Sequence, residues 1–108
     1  MRRPFSAAAA ALLRSLLART GLDHNRIVVG RFHSIDWQSL TFTGERHEIT
    51  LRIAGPDAAR AHALLRDGLA EAEWALGRHV VAEILIVGEE VEPDGSIRVE
   101  IEALTLTD

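Results

Sequence analysis

The chain has 108 residues, a net charge of −4 and no cysteine, lysine or tyrosine. Without cysteine it can form no disulfide, thiolate nucleophile or cysteine-ligated zinc site, and without lysine it can form no Schiff base. The acidic balance disfavours binding to nucleic acid, whose phosphates attract concentrated positive charge. No apolar run in the sequence approaches the ~20 residues that span a bilayer, so no membrane span is predicted.

The length predicts one α+β domain covering residues 1–108. The absence of cysteine fits a reducing compartment, and we therefore expect a cytoplasmic protein. Abundant alanine and arginine without lysine suggest a bacterial gene of high GC content. Residues 1–54 hold eight arginines and four acidic residues, net +4, whereas residues 55–108 hold four arginines and twelve acidic residues, net −8. This asymmetry indicates either two halves that attract each other or a charged patch for a partner.

The first predicted element is an alanine-rich helix that ends at Gly21. Its apolar residues recur at helical spacing, at Phe5, Ala9, Leu12, Leu13, Leu16 and Leu17. Pro4 suits the first turn, and glycine suits the position just past the end. The same stretch also has features of a targeting signal, but Arg14 interrupts the apolar region and no cleavage site stands out. We therefore interpret it as the first helix of the folded domain.

Three strands are predicted next. The first is Arg26–His33, in which Gly30 indicates a bulge or a close backbone approach, and a bend follows at residues 34–36. The second and third, Trp37–Thr43 and Arg46–Ile53, are predicted to form a hairpin.

The hairpin is predicted to turn at Gly44 and Glu45, because glycine at the first position of a two-residue loop suits a type II′ turn. The hydrophobic pattern then places Phe42 opposite His47 and Leu40 opposite Ile49 on one face.

The second half of the chain is predicted to contain one helix and two strands. The helix covers residues 56–76, and Gly68 inside it indicates close packing there. Its predicted buried side consists of Ala58, Ala61, Leu65, Leu69, Ala72 and Leu76. The strands are His79–Gly88 and Ile97–Leu106. The order helix, three strands, helix, two strands predicts an α+β fold, a two-layer sandwich of a mostly antiparallel five-stranded sheet with two helices on one face.

The strand His79–Gly88 is apolar on both of its faces except at Glu83, which is typical of a strand covered on both sides. Val80, Ala82, Ile84 and Ile86 are predicted to face the helices. The residues predicted on the other face are Val81, Leu85 and Val87, joined by Leu104 and Leu106. Since the helices cover only one face, these five residues are predicted to form an interface, with a second copy in a homodimer or with another protein.

A second candidate site lies around the bend and the hairpin, at His33, Asp36, Trp37, Glu45, Arg46 and His47. Histidine and carboxylates suit a general acid–base pair or a metal ion. Their spacing matches no metal motif, so neither a metal site nor a cofactor is predicted. In the alternative interpretation His47 is a partly buried rim residue and His33 a solvated strand end.

The sequence does not define an activity, and three hypotheses remain open. The first is a non-catalytic domain that self-associates or docks on a protein partner through the open face of its sheet. The second is a small enzyme or ligand-binding domain that uses His33, Asp36 and His47. The third is docking on an acidic surface through the arginine-rich first half. We prefer the first, so enzymatic activity is uncertain and not favoured.

Overall fold

The computed structural model describes residues 5–107. Its helices are α1 (Ala7–Thr20) and α2 (Ala58–Arg66), and its strands are β1 (Ile27–Gln38), β2 (Thr43–Ile53), β3 (His79–Val91) and β4 (Ile97–Thr107). Short 3-10 segments at His24–Arg26 and Leu69–Glu71 precede β1 and follow α2. The strands form one antiparallel sheet in the order β1-β2-β4-β3. Among the described residues, no helix combines the length and the hydrophobicity that a bilayer crossing requires.

The predicted α+β class, the antiparallel sheet and the two helices are confirmed. The predicted number of strands is wrong, because the sheet formed by residues 5–107 has four strands and not five. The difference arises at residues 34–36, which were predicted as a bend. Ser34, Ile35 and Asp36 instead pair with β2 without interruption, so two predicted strands form the single strand β1.

Helix α1 begins and ends at residues with specific capping roles. The Ser6 hydroxyl oxygen accepts a hydrogen bond from the backbone N–H of Ala9 at 3.0 Å, which satisfies one free donor of the first turn. Gly21 adopts the left-handed conformation with φ 71° and donates its N–H to the carbonyl of Ala18. The predicted end at Gly21 is therefore confirmed, whereas Pro4 lies outside the described residues.

The hairpin between β1 and β2 turns at residues 39–42, earlier in the chain than predicted. The Ser39 hydroxyl oxygen accepts hydrogen bonds from the backbone N–H groups of Thr41 and Phe42, at 3.3 and 3.0 Å. Such side-chain contacts to the following backbone are a common way for serine to stabilise a turn. The predicted pairs are consequently wrong: His47 lies opposite Ser34 and not Phe42, and Ile49 lies opposite Phe32 and not Leu40.

Gly44, predicted in the turn, lies instead within β2. It pairs with Trp37 on β1 and with Leu106 on β4. A side chain at this position would clash with the backbone of Thr105 on β4. Glycine is required here because two backbones approach closely, and not because the chain turns.

Helix α2 ends at Arg66, well before the predicted end at residue 76. The backbone leaves the helical conformation at Asp67, which is extended, and Gly68 follows in a left-handed conformation with φ 64°, as in a type II turn. Nothing lies within 4 Å of the point where a Cβ on Gly68 would be. Conformation, and not the predicted close packing, therefore explains this glycine. The apolar spacing still predicted burial correctly, since Leu69 and Leu76 are each 4% exposed.

One hydrophobic cluster joins both helices to one face of the sheet. Its best buried members are Leu12 and Leu16 of α1, Ala61 and Leu65 of α2, and Ile49, Leu51, Ile53, Val99 and Ile101 of β2 and β4. We call the sheet face that contributes to this cluster the covered face and the opposite one the open face.

Bulges modify both outer strands. Of the two features predicted for Gly30, the structure shows the bulge, as a register shift between Val29 and Arg31, and not a close backbone approach. Strand β3 has two more shifts, between residues 81 and 83 and between residues 86 and 88. These shifts reverse the predicted faces of the start of β3: Val81 packs against the core cluster, whereas Val80 is 56% exposed and Ala82 is also exposed. Ile84 and Ile86 face the core as predicted.

Candidate functional site

The sheet divides the six predicted ligand-binding residues between its two faces. Side chains of paired residues point to the same side of a sheet, and neighbours along a strand alternate. The register places Asp36, Glu45 and His47 on the covered face and His33, Trp37 and Arg46 on the open face. Proximity in sequence therefore does not bring the six side chains into one site.

His47 lies at the centre of a polar network inside the covered face. The imidazole is fully buried, with 0% exposure. Its Nδ1 lies 2.7 Å from the Ser34 hydroxyl on β1, and its Nε2 lies 2.8 Å from the Thr105 hydroxyl on β4. Because Thr105 also donates to the carbonyl of Glu45, at 3.5 Å, the network is satisfied when Ser34 donates to Nδ1 and Nε2 donates to Thr105.

Burial favours the neutral form of this histidine. Desolvation lowers the pKa of His47 below its ordinary value of 6.5; the nearby carboxylate of Glu45 raises that pKa, and His79 lowers it further. A neutral imidazole with one donor and one acceptor matches the two hydroxyl partners. The network therefore cross-links three strands through uncharged hydrogen bonds.

This arrangement lacks the features of a nucleophilic centre. In a serine–histidine–carboxylate triad the second ring nitrogen donates to a carboxylate, which stabilises the imidazolium ion. In this chain the corresponding partner is the hydroxyl of Thr105, and the ring itself does not reach solvent. Within residues 5–107, no group of three histidine, cysteine or acidic side chains is placed to hold a metal ion. The geometry thus supports a structural role for His47.

Contacts from the start of α1 reinforce this end of the sheet. The Ser6 hydroxyl donates a hydrogen bond to the Glu45 carboxylate at 2.6 Å. The Phe5 ring packs against Phe32 with 4.8 Å between ring centroids, and the rings of Phe32 and His47 are nearly perpendicular with centroids 5.9 Å apart. The polar and aromatic residues on the covered face are therefore used to attach the helix to the sheet.

The open face carries a compact apolar area at the end next to the hairpin turn. Trp37, Gly44, Leu106 and Val80 form one row across the four strands, and Ile35, Arg46, Leu104 and Glu83 form the next row. We call Ile35, Trp37, Val80, Leu104 and Leu106 the apolar patch. Its members come from β1, β3 and β4, which are far apart in the sequence.

The apolar patch combines buried and exposed side chains. Ile35 is 52% exposed and Val80 is 56% exposed, while Trp37 and Leu106 are partly buried. Leu104 is only 8% exposed, although it does not belong to the core cluster. The patch is therefore anchored by Leu104 at its centre and presents apolar surface to solvent at its borders.

Three ion pairs lie on or beside the rest of the open face. Arg31 pairs with Glu48 at 3.3 Å, Arg98 with Glu90 at 2.7 Å, and Arg52 with Asp94 at 2.9 Å. A shallow cavity of about 190 Å³ over this part is lined by Arg31, Glu48, Ile49, Thr50, Val87, Glu100, Ile101 and Glu102. Because Arg31 and Arg52 pair with carboxylates, the arginines of β1 and β2 do not form a continuous basic strip. Exposed ion pairs of this kind contribute little to stability.

The five predicted interface residues lie in three different environments in the structure. Leu85 and Val87 lie on the exposed side, 41% and 48% exposed, but next to the charged part of the open face. Leu104 and Leu106 belong to the apolar patch, whereas the face predicted for Val81 was wrong because it contacts the core. Sequence reasoning missed Ile35 and Val80 as surface residues. The sequence pattern around these two residues does not predict which face of the sheet each side chain points to. Their face depends on the bulges in β3 and on the length of β1.

Comparisons with known proteins show a similarity of fold to one solved structure and no match in sequence. No protein-family model matches the chain, and no curated protein matches it. A solved structure of the virion of a native gene transfer agent particle contains a chain with a similar fold, with a TM-score of 0.61 and 17% sequence identity. The match covers 95% of this chain and 98% of that chain. At this identity the likeness concerns the architecture of α1, α2 and the antiparallel sheet.

Proposed function

We propose that this chain is a non-catalytic structural subunit of a bacterial multi-subunit particle, and that it binds a neighbouring subunit through the apolar patch. The observation that carries the proposal is the presence of five large apolar side chains together on a sheet face that no described element covers. The fold likeness to a chain of a gene transfer agent virion supports it, because the match extends over nearly the whole of both chains. We place assembly in the bacterial cytoplasm, which the lack of cysteine fits.

The chemistry of the patch defines the partner surface. Burying a large apolar side chain contributes ~1.5–3 kcal/mol, so covering the exposed halves of Ile35 and Val80 would contribute on the order of 1 kcal/mol each. Arg46 and Glu83 stand in the same row as Ile35, between and beside the apolar residues. The complementary surface is therefore apolar, with one acidic and one basic group at positions that meet Arg46 and Glu83.

The same geometry does not favour the enzyme or ligand-binding hypothesis. That hypothesis needs His33, Asp36 and His47 in one accessible site, but the sheet separates His33 from the other two. His47 is buried and both of its ring nitrogens already have hydroxyl partners.

The test is incorporation into particles made by the organism that encodes the chain. A strain lacking the native copy is supplied with the wild type, Val80→Glu or Leu64→Glu, and particles are separated on a density gradient. Leu64 lies on α2 and is 46% exposed, so it is a matched surface control. We expect the wild type and Leu64→Glu to sediment with the particles, and Val80→Glu to be depleted there by about tenfold or more, which corresponds to ~1.4 kcal/mol. Absence of the wild type from the particle fraction, or normal incorporation of Val80→Glu, would contradict the proposal.

A further inference from the structure

The sheet has two outer strands, β1 and β3, and each leaves one side of its backbone without a partner strand among the described residues. A free edge offers unpaired N–H and C=O groups to another strand, and proteins usually protect such edges with bulges, charges or short strands. The two edges of this sheet differ strongly in that protection.

Strand β3 is well protected against pairing. Its register is interrupted between residues 81 and 83 and again between residues 86 and 88, so no stretch of regular edge is long. It also carries three carboxylates, at Glu83, Glu89 and Glu90. Bulges bend an edge away from a second strand, and like charges oppose its pairing with itself.

Strand β1 is protected only at its beginning. After the bulge at Gly30, eight consecutive residues from Arg31 to Gln38 pair with β2 without a shift, which shows a regular extended backbone. The run contains phenylalanine, isoleucine and tryptophan, which favour strands, and no proline. Its charged residues, Arg31 and Asp36, lie towards opposite ends.

Antiparallel pairing of this edge with itself is compatible with both charge and topology. Pairing about residue 34 or 35 places neither Arg31 nor Asp36 opposite a residue of like charge, whereas parallel pairing in register would place like charges together. A two-fold axis near Ser34 and Ile35 also continues the antiparallel pattern of the sheet and keeps the open faces on one side. The two Ile35 side chains would then be direct or diagonal neighbours across the axis, so the two apolar patches would adjoin at Ile35.

We propose that two copies of this chain pair through the β1 edge, antiparallel over residues 31–38, to form one eight-stranded sheet. The proposal extends the proposed function by naming a second copy as one partner, but it uses the strand edge and not the surface of the open face. The proposed pairing through the β1 edge can therefore be correct even if the chain is not a particle subunit, and the chain can be a particle subunit even if the β1 edges do not pair.

The lack of native cysteine makes a direct test simple. Paired residues across two strands have Cβ atoms ~4.5–5.5 Å apart, close enough for a disulfide after small adjustments. The Ile35→Cys chain is oxidised alone to test an axis at residue 35. An equal mixture of His33→Cys and Ile35→Cys chains tests an axis at residue 34. Leu85→Cys on β3 is the matched control, since Leu85 is 41% and Ile35 is 52% exposed.

We expect one of the two Ile35→Cys reactions to give a cross-linked dimer roughly a hundredfold faster than Leu85→Cys at micromolar concentration, because paired thiols have millimolar effective concentrations. The same cross-linking rate is expected when the cysteine variants also carry Val80→Glu. This result would distinguish pairing through the β1 edge from association through the apolar patch. Equal rates for the β1 and β3 variants would overturn the proposal. Rapid cross-linking only in a mixture of Ile35→Cys and Leu85→Cys chains would also overturn it, in favour of pairing between unlike edges. Circular dichroism of each variant verifies that it is folded.

Discussion

Gly44 and Thr105 approach so closely that a Cβ atom on Gly44 would lie 1.9 Å from the Thr105 carbonyl oxygen. Gly44→Ala must therefore displace the two inner strands, β2 and β4, from each other near the hairpin end of the sheet, and we expect it to lower the free energy of unfolding by about 3 kcal/mol. Gly77→Ala is the control, because Gly77 has a φ of 68° and open space around it. It should cost only the ~1–2 kcal/mol of a left-handed conformation. Urea denaturation of both variants gives the comparison, and equal losses would show that the close approach is easily relaxed.

The buried His47 should make stability depend on pH. Its pKa is lowered in the fold, mainly by desolvation, from the value of 6.5. The unfolded chain therefore binds a proton at this residue more readily than the folded chain. The stability linked to neutral His47 is fully present above pH 6.5 and is lost as the pH falls from there through the lower pKa of the folded state, by about 1.4 kcal/mol for each unit between the two pKa values.

The His47→Gln variant tests this contribution, because glutamine can still donate and accept hydrogen bonds but does not titrate. Free energies of unfolding are measured for both proteins between about pH 7.5 and about pH 5. We expect the stability of the wild type to fall more steeply than that of the variant towards acid. Identical slopes would mean that His47 binds its proton equally well in the folded and unfolded chains.

Ser6 should contribute more to the free energy of unfolding than an ordinary helix cap does. Its hydroxyl oxygen accepts a hydrogen bond from the Ala9 N–H, and its hydroxyl proton is donated to the Glu45 carboxylate. We expect Ser6→Ala to cost about 1–2 kcal/mol of stability. Ser15→Ala is the control in the same helix, since the Ser15 hydroxyl only donates back to the carbonyl of Ala11, and it should cost little.

A double-mutant cycle isolates the bond between Ser6 and Glu45. Ser6→Ala and Glu45→Ala are made separately and together, and thermal or urea denaturation gives the three changes in stability. We expect a coupling free energy of about 0.5–1.5 kcal/mol. Additive effects would show that the contact between α1 and β2 is weaker than its 2.6 Å separation indicates.

Two neighbouring leucines of α2 should respond very differently to truncation. Leu65 is 0% exposed and belongs to the core cluster, whereas Leu64 is 46% exposed. Leu65→Ala should cost about 2–5 kcal/mol through the lost contacts and the cavity, and Leu64→Ala about 0.5 kcal/mol or less. Denaturation measured side by side checks this, and comparable losses would indicate that α2 is held at a different rotation.

The helices and the positions of most strands could be predicted because their signals are local. Alanine with apolar residues at helical spacing marked α1, and Gly21 marked its end. The same spacing identified Ala58, Ala61 and Leu65 as the buried side of α2. The end of α2 was wrong because Gly68 can be tolerated inside a helix or can stop one, and the sequence does not say which.

The first hairpin could not be predicted because its evidence is non-local. Gly44 next to Glu45 has the appearance of a turn, and only the neighbouring β4 backbone reveals why glycine is needed. Once the turn was misplaced, the residues that pair with His47 and Ile49 were also misassigned. A register is decided by the partner strand as much as by the strand itself.

The residues of the candidate sites were grouped incorrectly for a related reason. His33 and His47 were grouped because they flank the same predicted hairpin, yet alternation along the strands puts them on opposite faces. The apolar patch depends on the β3 bulges and on strand order, since Val80 and Trp37 lie in one row only when β4 lies between β2 and β3. Neither feature has a signal in the sequence around these residues.

The central position of β4 has a consequence for synthesis of the chain. β1 and β2 are made early, but β2 acquires its second neighbour only when residues 97–107 have left the ribosome. Until then the nascent chain holds a two-stranded hairpin, which is marginal on its own, with the backbone of β2 exposed on one side. Folding of the sheet must therefore follow translation of β4, and an arrested chain that stops before Ile97 should be a target for chaperones and proteases.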